Sequence, residues 1–249
     1  MVSSEQRRRQ LARDKYERQV QARAEAASQR KKRNAIVAAV LAVVVVAGVT
    51  TVATGVFSSD DKKDKAAAAA PSPSSSIKQW AAEPAMSIDT KGTYTATLDT
   101  SAGKVGFTLD AAKAPHTVNS FVFLAGQQFW DNTKCHRLTT EGIYVLQCGD
   151  PTGTGSGSPG YSFTDENLEG ATYPAGTVAM ANSGANTNGS QFFLVYKDTQ
   201  LPPNYTPFGK ITSGLDVLQK IAAAGVQGGG GDGPPATPVN VKSITTTKG

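Results

Sequence analysis

No charged residue occurs between Ala35 and Phe57, a run of 23 residues dominated by Val, Ala, Leu and Ile. A helix crossing the hydrocarbon core of a bilayer needs roughly 20 such residues, and few soluble folds bury that many in one element. The polar interruptions are mild. Thr50, Thr51 and Thr54 can return their hydroxyls to the helix backbone, and Gly48 and Gly55 are common in membrane helices. The stretch therefore predicts one transmembrane helix. Its flanks differ in charge: residues 1–34 carry 11 Lys and Arg against 4 acidic residues, whereas Asp60 to Lys65 are balanced. By the positive-inside rule, residues 1–34 form a cytoplasmic arm and the chain beyond the helix lies outside the cytoplasm. The alternative is a cleaved signal peptide and a secreted protein. Such a peptide has an apolar core of about 7–15 residues followed by a small-residue cleavage site. Here the apolar run is longer and no Ala-x-Ala follows it directly, so the single-pass anchor is preferred.

The formal net charge of +5 belongs to this arm, since the rest of the chain is slightly acidic. A basic arm can mark nucleic-acid binding, but an apolar helix directly behind it points to the membrane, and no nucleic-acid partner is expected. Residues 58–90 read as a linker. Their Asp/Lys mixture, the Ala66–Ala70 run and Pro71-Ser72-Pro73-Ser74-Ser75-Ser76 cannot bury enough apolar surface to fold alone.

From about Lys91 the pattern changes. Tyr94, Ala96 and Leu98 alternate with Thr93, Thr95 and Thr97, and Val105, Phe107 and Leu109 alternate again after Ser101-Ala102-Gly103, which predicts a hairpin with one buried face. Pro115 opens a helix with Val118, Phe121, Val122 and Ala125 at helical spacing. Short strands are expected at Ile143–Gln147, Val178–Ala181, Phe192–Tyr196 and Phe208–Ile211. A second helix near Ser213–Ala224 shows Leu215, Leu218, Ile221 and Ala222 on one side and Gly225 as its stop. Val239, Val241 and Ile244 suggest a closing strand. Many short strands with two helices, in no βαβ rhythm, favour a closed antiparallel barrel over a parallel sheet.

Several chemistries are excluded. With only His116, His136 and two Cys, no zinc cluster can form and no metal is expected. Thr152 to Gly160 is Gly-rich but lacks the Gly-Lys-Ser/Thr ending of a phosphate loop, and no Ser sits in a nucleophile elbow. Asn188-Gly189-Ser190 and Asn204-Tyr205-Thr206 match the glycosylation pattern, a weak signal in any chain. Cys135 and Cys148 flank a turn between two expected strands. Outside the cytoplasm such a pair can oxidise if the strands pair in register; the alternative is two small buried residues. The Gly228–Gly231 run with Pro234-Pro235 reads as a flexible loop without an assigned role.

The stretch Met180-Ala181-Asn182-Ser183-Gly184-Ala185-Asn186-Thr187-Asn188-Gly189-Ser190-Gln191-Phe192-Phe193 joins two strands through more polar chemistry than a hairpin needs. It resembles the signature of cyclophilins, most closely through Asn-Thr-Asn-Gly-Ser-Gln-Phe-Phe. His136-Arg137 followed by Gln147-Cys148-Gly149-Asp150 is similar to the cyclophilin strand pair that carries the catalytic arginine. Phe163-Thr164-Asp165-Glu166-Asn167 and Thr206-Pro207-Phe208-Gly209-Lys210 resemble further family segments, in the same order. The resemblance covers residues 91–249. It implies a mainly β fold, a closed eight-stranded antiparallel barrel capped by two helices, and peptidyl-prolyl cis-trans isomerase activity on proline-containing polypeptides, without a cofactor and as a monomer.

Carried over by position, the resemblance makes Arg137 the catalytic residue and Gln147 its supporting partner. Tyr144, Val145, Phe193 and Leu201 would form the proline pocket, and Ala181, Asn182 and Gln191 would line the groove for the substrate backbone. Tyr144 and Val145 stand where the family usually has Phe and Met. The segment from Arg137 to Gln147 is slightly longer than usual. Near Gln200 many members carry a Trp that this chain lacks, and Tyr205 stands at the position of a groove His. That Trp is associated with cyclosporin binding, so drug sensitivity is not carried over. Two readings from other classes stand beside the isomerase: a proline-peptide binding module without useful catalysis, suggested by the Gln200–Tyr205 departures, and a basic arm that engages nucleic acid or a cytoplasmic partner.

Overall fold

The computed structural model describes residues 77–249. The expected arm, transmembrane helix and most of the linker lie outside the described residues, and among those described no helix is long and apolar enough to cross a membrane.

Alternation between apolar side chains and Thr builds the first hairpin where the pattern puts it. Strands β1 (Tyr94–Thr100) and β2 (Gly103–Leu109) pair antiparallel from Tyr94↔Leu109 to Thr100↔Gly103. The Thr100 hydroxyl stitches the tight turn by donating to Gly103 O at 2.7 Å and accepting from Ala102 N at 3.1 Å. Helix α1 (Pro115–Gly126) starts on its proline, whose missing N–H costs nothing in the first turn. Its next two backbone N–H groups are capped from afar: the Glu166 carboxylate accepts from His116 N at 3.0 Å and Thr117 N at 2.8 Å. Helix α2 (Leu215–Ala224) follows Gly214, whose φ of 80° and close approach to Lys104 O leave no room for a side chain.

The remaining strands are β3 (Lys134–Cys135), β4 (Arg137–Thr139), β5 (Val145–Cys148), β6 (Thr177–Met180), β7 (Phe192–Val195), β8 (Pro207–Ser213), β9 (Asp232–Gly233) and β10 (Val239–Lys248). They form one curled ten-stranded sheet in the order β3-β10-β1-β2-β8-β6-β7-β5-β4-β9. The expectation of eight strands needs correcting here. The segment 134–139 changes partner at His136: before it Cys135 pairs with Val239, and after it Arg137 pairs with Gln147. One expected strand thus becomes β3 and β4, and the two-residue β9 adds another. The chain through His136 joins β3, at one end of this order, to β4, next to the other end, and the sheet is a curled half-barrel and not the closed barrel expected.

Period-two geometry sends neighbouring side chains to opposite faces of each strand. Phe192, Leu194, Leu146 and Cys148 point into the main core, while Phe193, Val195 and Val145 form a second, smaller apolar cluster on the other face with Tyr173 and Ala179. The main core is centred on Phe121 of α1, whose ring lies 4.7–5.8 Å from those of Trp130, Phe208, Phe192 and Phe107. The smaller cluster is where the candidate site sits.

Part of what reads as linker packs on the folded domain. Trp80 lies edge-on to Phe123 with centroids 5.1 Å apart, and its backbone N–H donates to Pro159 O at 2.9 Å. Asn119, buried in α1, donates to Pro84 O and Ala85 O at 3.1 Å and accepts from Ser87 N at 2.9 Å. An amide with all its bonds made inside the protein holds residues 84–87 against the helix. Residues 80–87, inside the stretch 58–90 that reads as a linker, thus pack on the domain.

Candidate active site

Arg137 and Gln147 face each other across the β4–β5 ladder. Arg137 Nη1 donates to Gln147 Oε1 at 3.3 Å, Gln147 Nε2 donates to Gln191 Oε1 at 3.0 Å, and Gln191 Nε2 donates to Gly157 O at 2.9 Å and Gly155 O at 3.2 Å. Each amide accepts on one side and donates on the other, so the relay has one direction and fixes both amides. It ends on a loop that Asp150 holds together. Its carboxylate accepts from Thr152 N at 2.6 Å, Thr154 N at 3.0 Å and Gly155 N. Burial alone would raise the Asp150 carboxyl; the hydrogen bonds from Thr152, Gly157 and Gly155 outweigh it and hold the group below its usual range.

The other edge of the guanidinium is taken by Asp232. Arg137 Nε and Nη2 donate to its two carboxylate oxygens, each at 2.7 Å, a bidentate fork. This hydrogen bonding raises the affinity of Arg137 for its proton, against burial, and lowers the Asp232 carboxyl.

Beside Arg137 lies a cavity of about 160 Å³ with Ile143, Val145, Phe193, Leu201 and Tyr205 as apolar walls and Gln147 and Asn182 as polar ones. Phe193 meets Tyr205 edge-on, centroids 5.6 Å apart. Tyr173 supports both rings from below: its hydroxyl donates to Tyr205 O at 2.8 Å and accepts from Tyr205 N at 3.1 Å. A larger polar cavity of about 290 Å³ adjoins the first, sharing Gln147, Ala181 and Asn182 and adding Gln191 and the Gly155–Ser158 loop. Asn182 is held by Nδ2 donating to Asn204 O at 2.8 Å. An apolar cup with one cationic fork, continuous with a polar groove, can seat a small ring and the extended chain around it.

The structure brings together Arg137, Gln147, Val145, Phe193, Leu201, Tyr205, Ala181, Asn182 and Gln191. It does not bring in Tyr144. Tyr144 and Val145 are adjacent on a strand and cannot share a face. The Tyr144 ring turns the other way, 6.1 Å from that of Tyr196 and 4.3 Å below Lys197 Nζ, and Ile143 takes its place in the cup. Counting by twos back from Gln147 gives Val145 and Ile143. Asp232 and Tyr173 were not anticipated. Nothing local marks Tyr173, and Asp232 announces itself only as an acid set among glycines.

Cys135 and Cys148 are joined as a disulfide, both buried and immediately behind the Arg137–Gln147 pair. His136, between β3 and β4, has both ring nitrogens buried without a hydrogen-bond partner. Burial pushes its imidazole down, Asp150 opposes this, and Arg137 and Lys134 reinforce it. Among the described residues no three His, Cys, Asp or Glu converge on a point where a metal could bind.

Residues 95–246 match the family described as cyclophilin type peptidyl-prolyl cis-trans isomerase/CLD. The chain is 53% identical over 166 residues to a probable peptidyl-prolyl cis-trans isomerase B of Mycobacterium leprae, covering 61% of this chain and 56% of that one. It is 47% identical over 189 residues to the Mycobacterium tuberculosis protein of the same description, covering 70% and 61%. The matches thus span less than two thirds of these relatives. A crystal structure of a Cryptosporidium parvum cyclophilin type peptidyl-prolyl cis-trans isomerase superposes with a TM-score of 0.57 at 30% identity, covering 63% of this chain and 99% of that one. With the family matched across most of the described residues, the chain belongs to the cyclophilin type peptidyl-prolyl cis-trans isomerases.

Proposed function

We propose that the domain catalyses cis-trans exchange of Xaa-Pro bonds in exported or cell-envelope polypeptides and so assists their folding. The observation that carries this is the Arg137 fork held at the rim of the apolar Phe193 cup.

Rotation about an Xaa-Pro bond is slow because amide resonance must be lost, at a barrier of about 18–20 kcal/mol, and unassisted exchange takes tens to hundreds of seconds. Neither a nucleophile nor a cofactor is needed to speed it. A site that binds the twisted amide better than either planar form is enough. The cup holds the pyrrolidine ring and excludes water, while the groove along Asn182 and Gln191 holds the flanking backbone. As the amide twists, its nitrogen regains a lone pair. A guanidinium donor at that point bonds to it in the transition state and has no equivalent partner in the planar ground state, so it lowers the barrier and leaves ground-state binding nearly unchanged.

The extracytoplasmic setting and the single-pass anchor rest on the charge-free run 35–57 and the basic arm before it. A buried disulfide is in keeping with an oxidising compartment. The test is an exchange assay on an Xaa-Pro peptide with residues 77–249, the described domain, against Arg137→Ala. The expected loss is about a hundredfold or more, as for removal of a transition-state donor. A folded domain that binds the peptide without accelerating exchange would leave a binding module instead.

A further inference from the structure

The Gly228–Gly231 run has a role in this geometry. Val226 and Pro235 form an isolated bridge that closes the base of a loop, Thr140 N donates to Gly231 O at 2.8 Å, and β9 pairs with β4 as Leu138↔Gly233 and Thr139↔Asp232. The loop is thereby laid along the strand that carries Arg137. A Cβ on Gly231 would stand 2.8 Å from the Glu141 carboxyl, so a side chain there would have to displace the Glu141 side chain from beside the loop. The run leads into Asp232, the one acid among the described residues that reaches the guanidinium.

We infer that Asp232 is a positioning residue, which sets the plane of the Arg137 guanidinium and leaves its remaining donors to the substrate. This rests on the reading of Arg137 as the group that stabilises the twisted amide. A guanidinium has five N–H donors in one rigid plane. Asp232 takes Nε–H and one Nη2–H, and Gln147 takes one Nη1–H. Two donors are left, one on each terminal nitrogen. Contacts on two different edges fix a planar group against both tilt and rotation. Without Asp232, the 3.3 Å contact to Gln147 alone would have to orient a side chain that is 39% exposed.

The carboxylate has a second effect, partial neutralisation of the guanidinium, and the two oppose each other. Asp232 is 55% exposed, so water screens its charge at the far nitrogens, whereas the direction imposed by two short bonds is not screened. Orientation wins. The same exposure means the pair adds little to fold stability, which makes substitution at this position a clean test.

The test compares the full chain, solubilised in mild detergent, with Asp232→Asn and Asp232→Glu, measuring exchange of an Xaa-Pro peptide by NMR line shapes. Asp232→Asn is expected to lower kcat about tenfold, short of the loss in Arg137→Ala, with KM within about twofold, because the cup and groove that bind the ground state are untouched. Asp232→Glu, which keeps two acceptors, is expected to recover part of the rate. The Arg137 Nε–H resonance should be sharp in the parent protein and broadened by solvent exchange in Asp232→Asn. Unchanged kcat in Asp232→Asn would overturn the inference, and so would a raised one, which would make Asp232 a latch over the arginine. A parent chain that accelerates nothing would instead overturn the isomerase reading itself.

Discussion

Opening the Cys135–Cys148 bridge should lower stability by an amount set by loop length. The two residues are 13 apart in the chain. In the chain-entropy treatment, closing a loop of about 14 residues removes about 10 cal/mol/K from the unfolded ensemble, or about 3 kcal/mol at 25 °C. For a domain of this size each kcal/mol moves Tm by about 2–4 °C, so the fall should be about 6–12 °C. Reduction is the cleaner perturbation, because both residues are buried and it keeps both sulfur atoms as thiols, whereas Cys→Ala at both positions also removes buried atoms. The assay is calorimetry of residues 77–249 with and without a phosphine reductant, alongside thiol counting in denaturant. A Tm unmoved by full reduction would refute the entropic argument. Two free thiols in the denatured, never-reduced protein would refute the bridge itself.

Two further tests follow from contacts outside the cup. Trp80→Ala removes a half-buried ring from Phe123 and Phe129 and should cost about 1–2 kcal/mol, read as a Tm drop of a few degrees with peptide exchange unchanged; an unaltered Tm would mean the segment is only loosely laid on α1. His136 is held below the ordinary imidazole value of 6.5 by burial. The unfolded chain therefore takes up its proton first as pH falls, so the neutral His136 contribution is complete above about 6.5 and is lost progressively below it. Between pH 7.5 and 5 the parent should lose Tm more steeply than His136→Asn, and parallel profiles would show that the imidazole is not the group responsible.

Most of the sheet was legible because its code is local. Thr alternating with apolar residues in β1 and β2 carries a period of two, and Pro115 and Gly225 are backbone constraints that act within a turn. The polar turn from Ala181 to Gln191 was legible for a different reason: so much hydrogen-bonding chemistry between two strands has few structural uses. What failed was of two kinds. Tyr144 was assigned by position in a segment of altered length, although strand geometry already forbade it from sharing a face with Val145. Asp232 and Tyr173 act across 95 and 32 residues of chain, and no local period reports a partner that only the closed fold brings near. The division of β3 from β4 is of this kind too, since it depends on which strands arrive on either side of His136.

The strip from Lys78 to Asp89 also decides where mechanical load enters the domain. It runs along α1 before β1 begins, held by the Trp80 ring, by the Asn119 amide and by Lys78 Nζ on Gln127 O at 2.7 Å. A pull from upstream meets these contacts one after another, as a strip being peeled, and reaches the β1–β2 and β1–β10 ladders only when the last has gone. Peeling breaks one weak attachment at a time, whereas a ladder loaded along its strands resists with many bonds at once. On these contacts the strip would give way before the sheet carrying Arg137 if the chain ahead of Lys78 were pulled.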